Sequence, residues 1–233
     1  GVKRFEHTAM TEGAPVLSVR DLHFPALPPM TFDIRRGEIA FLRDENYNTG
    51  RRLHECFLGD RGWTSGFFRL NGRLYQPGDL GRVIGSEIGI QIERPDRPGG
   101  VLFDNMTALD NLCTSLIPKA GQHIIRKKIV SSILSEALRW FPKEMLLQPL
   151  SSWSYPERLR FSYYRWYLLN PRLLICFFPF AGQESTHHKM IIDLLVLCAQ
   201  RGMAVWIISS GIDAICEKTD NEEFLRRLHY LNK

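Results

Sequence analysis

Two stretches of this chain hold the residue types from which chemistry is built. In "RDENYNTGRRLHECFLG" (43–59) a polar run leads into Gly50, Arg51 and Arg52 at the start of a helical pattern. The first turn of a helix carries unpartnered N–H groups and the positive end of a dipole, so it favours an anion. Two guanidinium groups at that end oppose the dipole unless a negative group lies close, and Asp44 and Glu45 are the carboxylates in reach. Either one of them serves as an internal anion or all four are solvated loop side chains. The second stretch, "LLICFFPFAGQES" (173–185), opens as a buried strand and ends in Phe177, Phe178 and Pro179. A phenyl ring can neither ligate a hard cation, which needs oxygen, nor accept a proton.

Other candidate groups are less promising. His187-His188 open a helix without an acidic or cysteine partner at ligand spacing, so a surface pair is expected and no metal site. Cys56, Cys113, Cys176, Cys198 and Cys216 are odd in number, lack a CxxC pair and sit mostly in apolar context, which fits reduced core thiols.

At 233 residues and 44% hydrophobic content, the chain can bury the core of one large domain. It shows no run of eighteen apolar residues and no signal-peptide pattern, so neither a membrane span nor export is expected, and the predicted location is cytoplasmic. The formal charge of +5 comes from scattered basic residues, apart from Arg51-Arg52, Arg126 to Lys128 and Arg226-Arg227. A nucleic-acid partner is not expected, because that needs one basic face with interleaved aromatics.

The elements that must position these groups follow from periodicity. Residues 1–15 read as a polar tail or linker. "VLSVRDL" (16–22) and "MTFDIRRGEIAFLR" (30–43) alternate with period two, the latter as two strands joined by a turn at Arg36-Gly37. Asn71-Gly72 in "SGFFRLNGRLY" predicts a tight hairpin, and "EIGIQI" (87–92) is a further strand. Helices are predicted around 106–116, 122–141 and 157–169, then strand 171–178, helix 187–200, strand 203–210, a short helix from Ile212 and a C-terminal helix over 221–231. Continuous apolar strands alternating with amphipathic helices mean an α/β fold with a partly parallel sheet covered on both faces, and an antiparallel portion early in the chain.

That order resembles the nucleotide-binding domain of ABC transporters, and within them the second ATPase half of tandem importers of the ribose and galactose type. The stretches that carry the resemblance are "PVLSVRDL", "FDIRRGEIAFL", "LGDRGWTSGFFRLNGR", "IGIQIERPDRPGGVLFDNMTALDNL", "LSSWSYPERLRFSYYRWYLLNPRLLICFFPFAGQES" and "GMAVWIISSGIDAI". The resemblance implies a P-loop NTPase-like mixed sheet over 16–233 with a helical insert at about 104–170, following a linker at 1–15.

It also implies where ATP chemistry should sit, and the sequence departs there. In a phosphate loop of form G-x-x-G-x-G-(K/R)-(S/T), only Gly50 and Arg51 match, and Arg52 stands where a Mg²⁺-holding hydroxyl belongs. With Pro179 fixing the register, Phe177 stands at the metal-organising Asp and Phe178 at the water-polarising Glu. Ser210 takes the switch position, Gly182 and Glu184 fall in the D-loop region, and Glu93 or Arg94 are the nearest Q-loop candidates. The L-S-G-G-x-Q signature is represented by Leu150, Ser151, Ser152 and Trp153, so both glycines are replaced.

Five damaged motifs imply no catalytic residue and no cofactor, with ATP and Mg²⁺ relevant only if residual binding persists. The reading from sequence is therefore a catalytically inactive cassette acting as a structural or regulatory module. Its expected partner is another ATPase-like half or a second copy, with a membrane permease in a transport setting at the inner face of the cell membrane. Trp153, Phe177 and Phe178 are the candidate interface residues. The alternatives are the ATP-binding half of a sugar importer with residual nucleotide binding, and an interaction domain of a signalling or transcriptional regulator.

Overall fold

Alternation of buried and exposed residues builds the first of two sheets. In a computed structural model describing residues 13–59, 62–92, 102–116, 123–182 and 184–231, strands β1 (Leu17–His23), β2 (Met30–Ile34), β4 (Ser65–Leu70) and β5 (Arg73–Tyr75) form an antiparallel sheet in the order β2-β1-β4-β5. Leu17, Val19, Leu22, Phe68 and Leu70 point to one face and are buried. The β1 register shifts between Val19 and Leu22 against β2 and between Arg20 and His23 against β4, around Asp21 with φ 47°. Gly66, at φ 92°, lies so close to the Asp21 carbonyl that a side chain has no room there. The predicted hairpin is present: Asn71 and Gly72 both have positive φ, as a two-residue primed turn requires.

The second sheet is parallel, in the order β6 (Ile88–Ile92), β7 (Leu173–Phe177), β8 (Ala204–Ser209), β3 (Ile39–Arg43), β9 (Leu228–Tyr230). The two strands expected over 30–43 are present and joined by a turn, with Glu38 N–H donating to the Arg35 carbonyl at 3.2 Å, and they belong to different sheets. β3 is buried along its length except at Arg43, and a strand with no exposed face belongs in a sheet covered on both sides. The predicted C-terminal helix over 221–231 stops early. α8 (Glu222–Arg227) starts on Asn221, whose side chain accepts from the Phe224 N–H at 2.8 Å. Leu228–Tyr230 then leave the helix and complete the free edge of β3, where Tyr230 packs edge-on against Phe41 at 5.6 Å.

Three cores hold these layers. The first lies between the two sheets and takes in α1 (Asn48–Leu58), with Phe32 against Trp206 at 5.1 Å and Phe57 against Phe68 at 6.0 Å. The second covers the other face of the parallel sheet with α5 (Tyr155–Leu169), α6 (Ser185–Gln200), α7 (Ile212–Lys218) and α8. The third joins α2 (Ala108–Leu116), α3 (His123–Ala137) and α4 (Lys143–Leu146) to the outer side of α5. The aromatic helix α5 is thus core on two sides: Tyr163 and Trp166 face the sheet, Phe161 and Tyr164 face the insert. Each such fully buried ring contributes about 1.5–3 kcal/mol relative to exposure.

Candidate functional site

β3, β7 and β8 are neighbours running in one direction, so their carboxyl ends and the loops leaving them meet at one edge of the sheet, where open α/β sheets place their ligands. Two of those loops are pinned to β8. The Asp44 N–H donates to the Ser209 carbonyl at 2.9 Å, and the Phe178 N–H donates to the Ile208 carbonyl at 2.8 Å.

Asp44 turns its carboxylate into the start of α1. Its Oδ1 accepts from the Thr49 N–H at 3.2 Å and its Oδ2 from the Gly50 N–H at 2.7 Å, with the residue only 5% exposed. The position preceding α1 is Tyr47, which sits at φ 58° and caps nothing with its side chain. Asp44 supplies the anion that the helix start demands, and hydrogen bonds of this charge-assisted kind are worth about 1.5–3 kcal/mol each. Glu45 differs: it is exposed and lies 3.4 Å from Arg43, which also donates to Asp213 at 2.5 Å. That hydrogen bond from Arg43 holds the Asp213 carboxyl below the usual carboxylate range.

Phe178 closes the other side. It adopts φ 52°, a left-handed conformation that costs a non-glycine residue about 1–2 kcal/mol. Its ring lies against Gly50, where an added Cβ would come within 2.6 Å of Phe178 Cζ, and against the Tyr47 ring at 4.7 Å. Two aromatic residues in left-handed conformations thus pack together, rings tilted, at the start of α1. Phe177 is 2% exposed in the inter-sheet core beside His54, the core against which the half-buried Phe178 also packs.

The residues matched to a phosphate loop do not fit ATP and Mg²⁺ in this arrangement. The Gly50 N–H is taken by a carboxylate of the same chain, Arg51 is exposed, and Arg52 bonds Glu55 at 3.2 Å one turn along the helix. Neither Phe177 nor Phe178 offers an oxygen to a cation. An open pocket of about 460 Å³ remains beside the loop, lined by Arg43, Asp44, Glu45, Asn48 and Thr49 with Ala26 and Leu27. Ser210 is half-buried and precedes Gly211, whose positive φ opens α7.

The signature-like residues form a separate group. Leu150 is buried, Ser151 and Ser152 are exposed in a 3-10 turn, and Ser152 Oγ donates to the Pro149 carbonyl at 2.7 Å. Trp153 corrects the expectation of an interface residue. It is 5% exposed, donates from Nε1 to the Met145 carbonyl at 3.2 Å, and packs against Phe141 and Phe161, both at 5.4 Å. Phe177 is corrected likewise, since a ring fixed between two sheets offers nothing to a partner. Trp153 belongs to the core of the insert and the two phenylalanines to the core between the sheets, so the three form no common surface.

Gln91 escaped the sequence reading. It is fully buried, accepts from Trp166 Nε1 at 2.8 Å and donates to Ser162 Oγ at 2.9 Å, tying β6 to α5. A polar residue inside "IGIQI" is the signal that points to it. Glu93 and Arg94 lie outside the described residues. Gly182 has φ 68°, and Glu184 precedes α6, its carbonyl accepting from the His187 N–H at 2.9 Å. The His187 ring packs on Tyr155 and the His188 ring on Phe180. Among the described residues no cluster of three or more His, Cys, Asp or Glu is placed to hold a metal ion, and no helix is long and apolar enough to cross a membrane.

No family model matches the chain. It is 26% identical over 212 residues to a putative ribose/galactose/methyl galactoside import ATP-binding protein of Pseudomonas syringae pv. tomato, covering 89% of this chain and 40% of that protein. It is 24% identical to a fructose import ATP-binding protein of Bifidobacterium longum, covering 98% of this chain and 45% of that one. The chain therefore spans less than half the length of these curated relatives. Among solved structures, cbiO1 of Clostridium perfringens, part of an ABC transporter complex, superposes with a TM-score of 0.72 at 19% identity, covering 94% of this chain and 85% of that one. A nucleotide-free ATP-binding cassette superposes with a TM-score of 0.67 at 14% identity, covering 94% and 88%. The fold is that of an ABC transporter ATP-binding cassette.

Proposed function

We propose that this ATP-binding-cassette domain is one half of a sugar-import type ATP-binding protein, and that it serves that assembly as a structural or regulatory half without turning over ATP at its own phosphate loop. The importer setting is supported by relatives named as import ATP-binding proteins, which align over most of this chain. The second part of the proposal is carried by one observation: Asp44 holds the Thr49 and Gly50 N–H groups while the Phe178 ring rests on Gly50. Phosphoryl transfer is catalysed almost wholly by positioning and charge stabilisation around a metal, and these side chains supply neither. The partners proposed are a second cassette half and a membrane permease, at the cytoplasmic face.

Isothermal titration with MgATP tests this. The expected result is no saturable binding at micromolar concentrations and no phosphate release by this chain. A second reading, residual nucleotide binding within an importer, is favoured by the relatives' description as ATP-binding. Micromolar MgATP affinity abolished by Arg51→Ala would establish that reading and overturn the first.

A further inference from the structure

The helical insert forms a second concavity at the opposite edge of the parallel sheet. Tyr167 lies at the end of α5, which leads into β7, and Arg201 follows α6, which leads into β8, whereas Asp44 follows the carboxyl end of β3. Between them and α3 runs an open groove of about 820 Å³, within the size range of small-molecule sites.

One wall of the groove is a single polar stripe of α3. Lys128, Ser131, Ser132 and Ser135 fall at helical spacing, so their side chains share a face, about 5–6 Å between neighbouring Cβ atoms. All four are exposed. On the facing wall the Arg201 guanidinium lies over the Tyr167 ring, 4.7 Å from its centroid, which holds a fixed charge beside the groove. Glu136 also lines the groove but lies 3.2 Å from Arg139, so its charge is matched. Neither Lys128 nor Arg201 has an ion-pair partner among the described residues.

Behind this wall is a polar group with no satisfied role. The Tyr164 hydroxyl is buried and has no hydrogen-bond partner among the described residues, and the charged groups that act on it include Glu136, Arg139 and Arg201. An orphan buried hydroxyl costs about 1–3 kcal/mol and calls for an explanation. Here it lies next to the groove's own residues.

We propose that this groove binds a small hydroxylated anion of the sugar-phosphate or polyol-phosphate class, its phosphoryl group between Lys128 and Arg201 and its hydroxyls on Ser131, Ser132 and Ser135. A mobile ammonium and a planar guanidinium are complementary donors to a phosphate. Serine hydroxyls both donate and accept, as sugar hydroxyls do, and their spacing along the helix suits hydroxyls distributed around a pentose or hexose ring. Among the described residues a nucleobase has no free aromatic platform here, because Arg201 covers the Tyr167 ring.

Calorimetric titration with ribose 5-phosphate tests the assignment, with ribose and inorganic phosphate as separate arms. The sugar phosphate is expected to saturate, at least about ten-fold tighter than either fragment, and to lose about ten-fold in affinity in Lys128→Ala and in Arg201→Ala, the weight of a charged hydrogen bond. Both residues are exposed, so the ligand-free melting temperature should stay at the parent value in Lys128→Ala and fall only slightly in Arg201→Ala, which gives up the Tyr167 contact, and this establishes that the variants fold. Ser131→Ala/Ser135→Ala should weaken ribose 5-phosphate and leave inorganic phosphate unaffected. Absence of saturation at millimolar ligand, indifference to both cation variants, or phosphate alone binding as tightly as the sugar phosphate overturns the proposal. The Asp44 loop is not involved, so these outcomes are independent of MgATP binding.

Discussion

The Phe178 ring occupies the side of Gly50 from which a side chain would grow: a Cβ there would lie 2.6 Å from Phe178 Cζ and 3.2 Å from Asp44 Oδ2. Alanine ordinarily improves on glycine in a helix by about 1 kcal/mol. Here overpacking reverses the sign, and Gly50→Ala is expected to destabilise by about 1–3 kcal/mol. In the double variant with Phe178→Ala most of that cost should vanish, so a urea-denaturation cycle reads a non-additive pair. Additive losses would show that the two residues do not compete for space.

Removing the Asp44 carboxylate leaves two N–H groups at a helix start without an acceptor. Asp44→Ala should cost about 1–3 kcal/mol, while Glu45→Ala, at an exposed pair, should stay within about 1 kcal/mol of the parent. Millimolar phosphate or sulfate should then raise the melting temperature of Asp44→Ala more than that of the parent. Equal shifts would mean that Asp44 does not hold an anion's place.

Trp153 should behave as core. Trp153→Ala is expected to cost about 3–5 kcal/mol, as truncation of a large buried aromatic does, and to leave the gel-filtration profile of the native protein unaltered. A variant of parental stability that changes oligomeric state would restore the interface assignment.

The Arg43–Asp213 contact predicts a pH dependence of known sign. Arg43 lowers the folded-state pKa of Asp213, so the contact contributes stability above the unfolded carboxyl value, about 3.9, and loses it as pH falls through the lower folded value. The pair is exposed, which limits it to no more than about 1 kcal/mol. The melting difference between parent and Asp213→Asn should be level from neutral pH down to about pH 5 and shrink below about pH 4. High salt should diminish it at every pH.

Tyr164→Phe removes a hydroxyl that has no partner among the described residues. Stability in the absence of ligand should be unchanged or rise by about 1 kcal/mol, and chemical denaturation measures it. A fall of several kcal/mol would mean that the hydroxyl already has a partner in the folded protein.

The layered α/β order was legible because each strand carries either clean alternation or an unbroken apolar run, and Asn71-Gly72 names its own turn. Periodicity did not reveal that β2 and β3 part company, because sheet membership depends on what covers each face. β9 was hidden because "LRRLHYL" satisfies a helical pattern until the free edge of β3 offers pairing to its last residues. At the site, that Phe177 and Phe178 offer neither an oxygen nor a proton acceptor was plain from residue type. The choice between Asp44 and Glu45 was not, since both precede the same helix, and only the backbone path sends one carboxylate inward and the other to Arg43. Trp153 misled because the exposure expected of it was that of a small loop residue, whereas its indole is large enough to fill the core of the insert.

Asp44 is joined by a loop of three residues, Glu45 to Tyr47, to the helix whose first turn it neutralises. An anion from solution binds in proportion to its concentration, whereas a covalently attached one is present at an effective concentration on the order of millimolar or more, whatever the surroundings contain. Occupancy of this helix start is thereby made a constant of the fold instead of a reading of the cell's phosphate pool.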